Sequence, residues 1–260
     1  MKIVWSEKLR EPYDTDPAAA LGRLDPAVEA LAGWAEWVEP VPAREEDLLR
    51  CHTRRHLEEV RREGLYAAAA LAAGGAILAA RLAQEAPSFA LVRPPGHHAS
   101  RDRAWGFCHL NNLAVALAER WAAGRVQQAL VLDVDVHFGD GTADVLGGEG
   151  WVRIVNPGAP SRQEYLRQVI EALEEFAGDW IAVSAGFDHH SLDWGGLLHT
   201  EDYELIGLRV GIRARALGGH AFGVLEGGYN PRSLAESLRA FCHGLERGWE
   251  KGASGRADRA

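Results

Sequence analysis

Residues Leu130–Thr142 read LVLDVDVHFGDGT, an apolar run that ends in carboxylates, an imidazole and a glycine pair. Leu130 to Val136 has the composition of a strand buried on both faces, and such strands belong to parallel sheets covered by helices. Three further runs repeat the pattern, at Phe89–Val92, Trp180–Ala185 and Ala221–Leu225. Longer stretches of helical character lie between them: Ala67–Ala86, Leu113–Ala123, Gln163–Phe176, Thr200–Leu217 and Arg232–Glu250. Thr200 with Glu201 and Asp202 behind it reads as a capped helix start. The alternation predicts an α/β fold with a mainly parallel sheet and helices on both faces. A length of 260 residues suits one such domain. No repeat or linker divides the chain, so residues 1–250 read as that domain and the small, polar residues 251–260 as a flexible tail.

Composition narrows the function. With 28 Lys+Arg against 37 Asp+Glu the net charge is −9, which repels phosphate backbones and argues against a nucleic-acid partner. The longest uncharged run, Leu65 to Ala80, falls short of the roughly 20 residues that span a bilayer, so no membrane partner is expected. The three cysteines, Cys51, Cys108 and Cys242, form no CxxC pair. An odd count suits a reducing compartment, and the cytoplasm is the expected location.

Each apolar run ends in residues able to do chemistry. Phe89–Val92 leads to Arg93, Pro94, Pro95, Gly96, His97 and His98. Leu130–Leu132 leads to Asp133, Asp135, His137 and Asp140. Trp180–Ala185 leads to Asp188, and Ala221–Leu225 to Glu226, Gly227, Gly228 and Tyr229. Ligands of open parallel sheets bind at the carboxyl ends of the strands, so four such ends predict one crevice. Asp133, Asp135 and His137 are spaced by two, which on a strand puts them on one face. Bare carboxylates there are costly, and a cation offsets them. Two of Asp133, Asp135 and Asp188, with His137, make a divalent-metal shell that leaves a position open for water. The imidazole disfavours magnesium and calcium; zinc comes first, with iron(II), cobalt and manganese compatible. His97 and His98 sit in a turn and can both face the crevice, each paired with a carboxylate that fixes its tautomer; Asp133 and Asp140 are available for this. Beside a metal-activated water such a histidine is a general base. Tyr229, presented by two glycines, can donate its phenolic proton to a developing oxyanion. Singly these signals are commonplace, because an Asp-x-Asp usually caps a loop and Gly-Gly-Tyr is usually a turn. Their joint placement at four strand ends points to metal-site chemistry.

These stretches resemble the histone deacetylase superfamily, including bacterial deacetylase-like amidohydrolases and acetylpolyamine amidohydrolases. The matching motifs are Arg93–Ala99, Gly106–Cys108 with Asn111 and Asn112, Leu132–His137 with Gly139–Thr142, Ser184–Asp188, and Leu225–Tyr229; Gly22–Leu24 and Leu48–His52 match more weakly. The resemblance implies an arginase/deacetylase-type fold and zinc ligation by Asp135, His137 and Asp188. It implies His97 and His98 as the catalytic pair, backed by Asp133 and Asp140 respectively, with Tyr229 polarising an acetyl carbonyl. It further implies that Phe107 lines a channel for an aliphatic amine stem and that the Gly106 carbonyl lies beside the substrate amide. The expected substrate is then an acetyl-lysine, an acetylpolyamine or a related small acyl-amine.

The sequence also departs from the family pattern. Phe138 stands where a second histidine usually follows the ligand histidine, and His189-His190 follow the third ligand, where the pair is expected at the rim. Two segments, around 57–65 and 143–156, are shortened; the second normally contributes a channel wall and a monovalent-cation site, and much of the segment that builds that site is missing here. The shortening motivates one alternative, a non-catalytic metal pocket for acetylated ligands. A ureohydrolase-like dinuclear manganese enzyme is the other, disfavoured by the Asp-x-Asp-x-His order.

Overall fold

The structure, a computed structural model, describes residues 1–257, of which 253–257 are described by backbone alone. It is a single α/β domain on a sheet of seven strands, all parallel. In chain order the elements are β1 (Lys2–Val4), α1 (Asp25–Leu31), β2 (Glu36–Val38), α2 (Glu45–Leu48), α3 (Arg54–Arg62), α4 (Tyr66–Leu82), β3 (Ser88–Ala90) and α5 (Asn112–Ala122). They continue through β4 (Ala129–Asp133), α6 (Asp140–Leu146), β5 (Val152–Val155), α7 (Arg162–Glu175), β6 (Trp180–Ala185), α8 (Thr200–Leu217), β7 (His220–Leu225) and α9 (Pro231–Ala257). The expected tail thus begins inside α9, and its residues 258–260 lie outside the described residues.

Across the sheet the order is β2-β1-β3-β7-β6-β4-β5. The four runs recognised in the sequence are the four contiguous central strands, β3, β7, β6 and β4. Their registers place Ala90 beside Val224, Val224 beside Ser184, and Ser184 beside Asp133. These carboxyl ends are therefore nearly level, and the loops that leave them meet in one place. β4, β6 and the interior of β7 are buried throughout, as a sheet covered on both faces requires. One helical layer is built on α4 and α5, the other on α8 and α9 with α1 and α7 beside them. α8 and α9 approach unusually closely through reciprocal glycines. A Cβ on Gly207 would overlap the Phe241 carbonyl, and one on Gly244 would overlap the Glu204 carbonyl.

Several expectations are corrected: β3 stops at Ala90, not at Val92, and α4 at Leu82, not at Ala86. β4 stops at Asp133, not at Val136. His190 is not a rim residue but is buried, with its ring stacked on Tyr203 and Nε2 3.3 Å from Thr200 Oγ1. Among the described residues no helix is long and apolar enough to cross a membrane.

Candidate active site

Beyond Asp133 the chain curls off the sheet because its own carboxylates capture its amides. The Asp135 N–H donates to Asp133 Oδ1 at 3.2 Å and the His137 N–H to Asp135 Oδ1 at 2.9 Å. Such side-chain-to-backbone turns replace the ladder bonds a strand would make. Asp133, Asp135 and His137 therefore do not share a strand face; the bend splits them between two tasks.

Asp135 and His137 join Asp188 from the end of β6. Their potential ligand atoms lie within 4.8 Å of one another. The His137 Nδ1 is 3.0 Å from Asp135 Oδ1 and 3.4 Å from Asp188 Oδ2. Asp135 is 5% exposed and Asp188 0%. Backbone amides hold both in place, with Gly227 N–H on Asp135 Oδ2 at 2.9 Å and Val136 N–H on Asp188 Oδ1 at 3.0 Å. The remaining oxygen, Asp188 Oδ2, is buried without a hydrogen bond. Burial and the Asp135 charge raise the Asp188 pKa, while the hydrogen bond to Asp135 and the nearby Asp188 carboxylate push His137 up to about 10. Glycine leaves this space free, since a Cβ on Gly227 would overlap the Asp188 carboxylate and lie 2.6 Å from Asp135 Oδ2. Two buried carboxylates, one imidazole and an orphaned oxygen around a glycine-lined gap fit a divalent cation of the borderline class.

Asp133 turns the other way. Its Oδ2 lies 3.1 Å from Nδ1 of His97, whose Nε2 is 3.8 Å from Asp135 Oδ1. Burial alone would lower the His97 pKa, but Asp135 and Asp133 outweigh it and hold the ring well above the usual range. His98 pairs with Asp140, Nδ1 to Oδ1 at 2.6 Å. Burial and the neighbouring His97 charge push His98 down to about 4 despite Asp140. The two rings lie 4.0 Å apart between centroids. Their turn is fixed by the Thr142 N–H on the His97 carbonyl at 3.0 Å and by the Asn112 side chain on the Pro94 carbonyl at 2.9 Å.

Both histidines line a cavity of about 140 Å³ together with His137, Tyr229, Gly106, Phe107, Trp105 and Trp194. Every residue expected at the site is thus brought to one crevice, with Asp133 and Asp140 behind the histidines. Gly106 and Phe107 sit in the left-handed region, at φ 61° and 66°. A Cβ on Gly106 would come 2.5 Å from the His98 ring, and Phe107 is edge-on to Tyr229. Burial raises the Tyr229 pKa, so the phenol stays protonated.

Some residues at the site went unassigned in the sequence reading. Glu226, fully buried, accepts the Gly96 and His97 amides at 2.6 and 3.1 Å; its place at an apolar strand's end was the available signal. With His97 and Cys108 it forms a second potential ligand group, but His97 Nδ1 and Glu226 Oε2 are engaged with Asp133 and the turn. Trp105 packs against His98, with ring centroids 4.0 Å apart and planes tilted by 32°, and donates its indole N–H to Asp140 Oδ2 at 2.8 Å. Arg23 donates to the Gly228 and Glu226 carbonyls at 2.7 and 2.8 Å; the weak match at Gly22–Leu24 was the only signal for it, and that match gave it no role.

The histone deacetylase domain profile matches residues 62–156 and 158–245. A probable deacetylase of Methanothermobacter thermautotrophicus is 33% identical, with 85% of this chain and 82% of that protein covered. A histone deacetylase-like amidohydrolase of Pseudomonas aeruginosa is 34% identical, over 77% of this chain and 67% of its own. Among solved structures, the HDA15 HD domain superposes with a TM-score of 0.80 at 26% identity, covering 92% of this chain and 87% of that one.

Proposed function

The chain belongs to the histone deacetylase family of hydrolases, generally metal-dependent, and from that premise we propose that it hydrolyses the amide bond of acetylated amines at the crevice described above. Asp135, His137 and Asp188 would hold one divalent ion, zinc first, with iron(II), cobalt or manganese compatible. Bound there, such an ion lowers the pKa of water and polarises a carbonyl.

The side chains supply the rest. His98, neutral at pH 7 with Nδ1 taken by Asp140, accepts the proton of the attacking water at Nε2. His97, kept protonated by Asp133 and Asp135, favours the negative charge that builds in the transition state and supplies the proton the departing amine takes up. The Tyr229 phenol donates to the acyl oxygen as it becomes an oxyanion. Phe107 grips the aliphatic stem, and the Gly106 carbonyl accepts the substrate amide N–H. The observation that carries this reading is that two separate Asp–His pairs, His97 with Asp133 and His98 with Asp140, open onto a cavity lined by His137, whose ring nitrogen lies beside the Asp135 and Asp188 carboxylates.

Acetyl-lysine, acetylpolyamines and related small acyl-amines are the substrates this site would take. The buried, unpaired Cys51, Cys108 and Cys242 favour a cytoplasmic location. The test is a zinc-loaded activity screen across acetyl-lysine peptides, acetylpolyamines and longer acyl-amines, run with metal analysis. Acyl release at one metal per chain is expected. Two metals per chain without acyl release would overturn the reading in favour of a ureohydrolase-like centre, and one metal without turnover in favour of a binding pocket.

A further inference from the structure

Among the described residues the Tyr229 phenol has no hydrogen-bond partner, so its aim must come from its backbone and its ring. The backbone before it is intrinsically loose: Gly227 and Gly228 precede it, and Gly228 has φ +121°, open to glycine but rarely to other residues. Asp135 holds the Gly227 N–H and Arg23 the Gly228 carbonyl, with the Arg23 guanidinium 5.2 Å from the Tyr229 ring centroid; the restraint on the Tyr229 N–H and on the other ring contact comes from the segment that follows Asp188. Asp193 Oδ2 accepts the N–H groups of both Tyr229 and Asn230, at 2.8 and 2.7 Å, while its Oδ1 accepts the Trp194 N–H at 2.8 Å. The Asn230 side chain donates back to the Leu192 carbonyl at 3.1 Å. The Trp194 indole stacks on the Tyr229 ring, 3.9 Å between centroids and 20° from parallel. The Gly195 N–H bonds the Asp188 carbonyl at 2.8 Å. One short segment therefore carries Asp188 at one end and a clasp on Tyr229 at the other.

We propose that Asp193 and Trp194 are positioning residues for the hydrolysis, Asp193 fixing the backbone of Tyr229 and Trp194 fixing its ring at a set distance from Asp188. The proposal rests on the reading that Tyr229 polarises the acyl carbonyl. A carboxylate is needed at 193 because three amides converge on its two oxygens. An amide there would turn a donor toward a donor and release the turn. Misplacing a catalytic group by about 1 Å can cost on the order of a hundredfold in rate.

The test is a pair of double-mutant cycles on the zinc-loaded enzyme with an acetyl-lysine peptide. Asp193→Asn and Trp194→Leu should each lower kcat by about tenfold to a hundredfold. KM should stay within about threefold and metal content should be unchanged, a split that general loosening of the fold would not produce. In a Tyr229→Phe background neither substitution should cost more than about twofold further, because there is no phenol left to aim. Trp194 is 53% exposed, so its variant keeps the test open even if Asp193→Asn folds poorly. Equal losses with and without the phenol, in whichever cycles fold, would overturn the proposal while leaving the Tyr229 role intact. A Tyr229→Phe enzyme of normal kcat would instead remove that role, and the proposal with it.

Discussion

His97 and His98 are neighbours in sequence with opposite charge preferences. His97 lies between two buried carboxylates and holds its proton; His98 faces Asp140 and Trp105 and gives its proton up. Pairing each histidine with one of the two remaining carboxylates was legible in the motif order. The difference in charge was not, because it depends on how far each pair is buried and on the bend after Asp133. A base works unprotonated, so with His98 near 4 activity should fall only as pH drops toward that value. Asp140 opposes this depression, and Asp140→Asn removes that opposition. Its acidic limb should move to lower pH while kcat at neutral pH falls at least about tenfold through the weaker base. A kcat/KM–pH profile checks this, and a limb that moved upward would contradict the pairing. Tyr229→Phe should lower kcat by about two to three orders of magnitude with metal retained, as for loss of one oxyanion donor. Steady-state kinetics with metal analysis reads both effects.

At the level of elements, the sequence marked the four central strands because burial on both faces makes them continuously apolar. The Trp180–Ala185 strand and the Thr200–Leu217 helix match the structure residue for residue. Strands β1, β2 and β5 left no such mark. They are three or four residues long, and β2 and β5 are partly exposed at the sheet edges, so they lack an apolar run. The overrun of β4 has a different cause. Val134 and Val136 continue the strand alternation, but the intervening carboxylates bond their own backbone and end it. The glycine seam between α8 and α9 gives an element-scale prediction. Gly244→Val should destabilise by about 1–3 kcal/mol through overpacking against Glu204. Differential scanning calorimetry would read this as a Tm lower by about 2–4 °C per kcal/mol, with kcat at 25 °C unchanged.

Across the whole molecule, the acidic excess is partly explained by function. Asp133, Asp135 and Asp188 are buried at the crevice, and Asp140 backs a histidine there. Residues 57–65, expected to be short of the family pattern, border a cleft of about 330 Å³ that shares Trp105, Gly106 and Phe107 with the cavity at the histidine pair. If Asp135, His137 and Asp188 hold a cation, removing it should leave buried carboxylates facing each other and a less stable protein. Saturating zinc at about a hundred times its Kd should add about 2.7 kcal/mol. Chelation should therefore lower Tm by several degrees as it abolishes activity, and identical melting curves would argue against the site.

The proposed chemistry requires Asp135, His137 and Asp188 to hold the metal on which amide hydrolysis depends. Elemental analysis of purified wild type and His137→Ala, with deacetylation of an acetyl-lysine peptide measured on the same samples, tests it most directly. About one divalent ion per wild-type chain is expected, and a variant that has lost both the ion and the activity. A variant that kept a full complement of metal and normal turnover would contradict it.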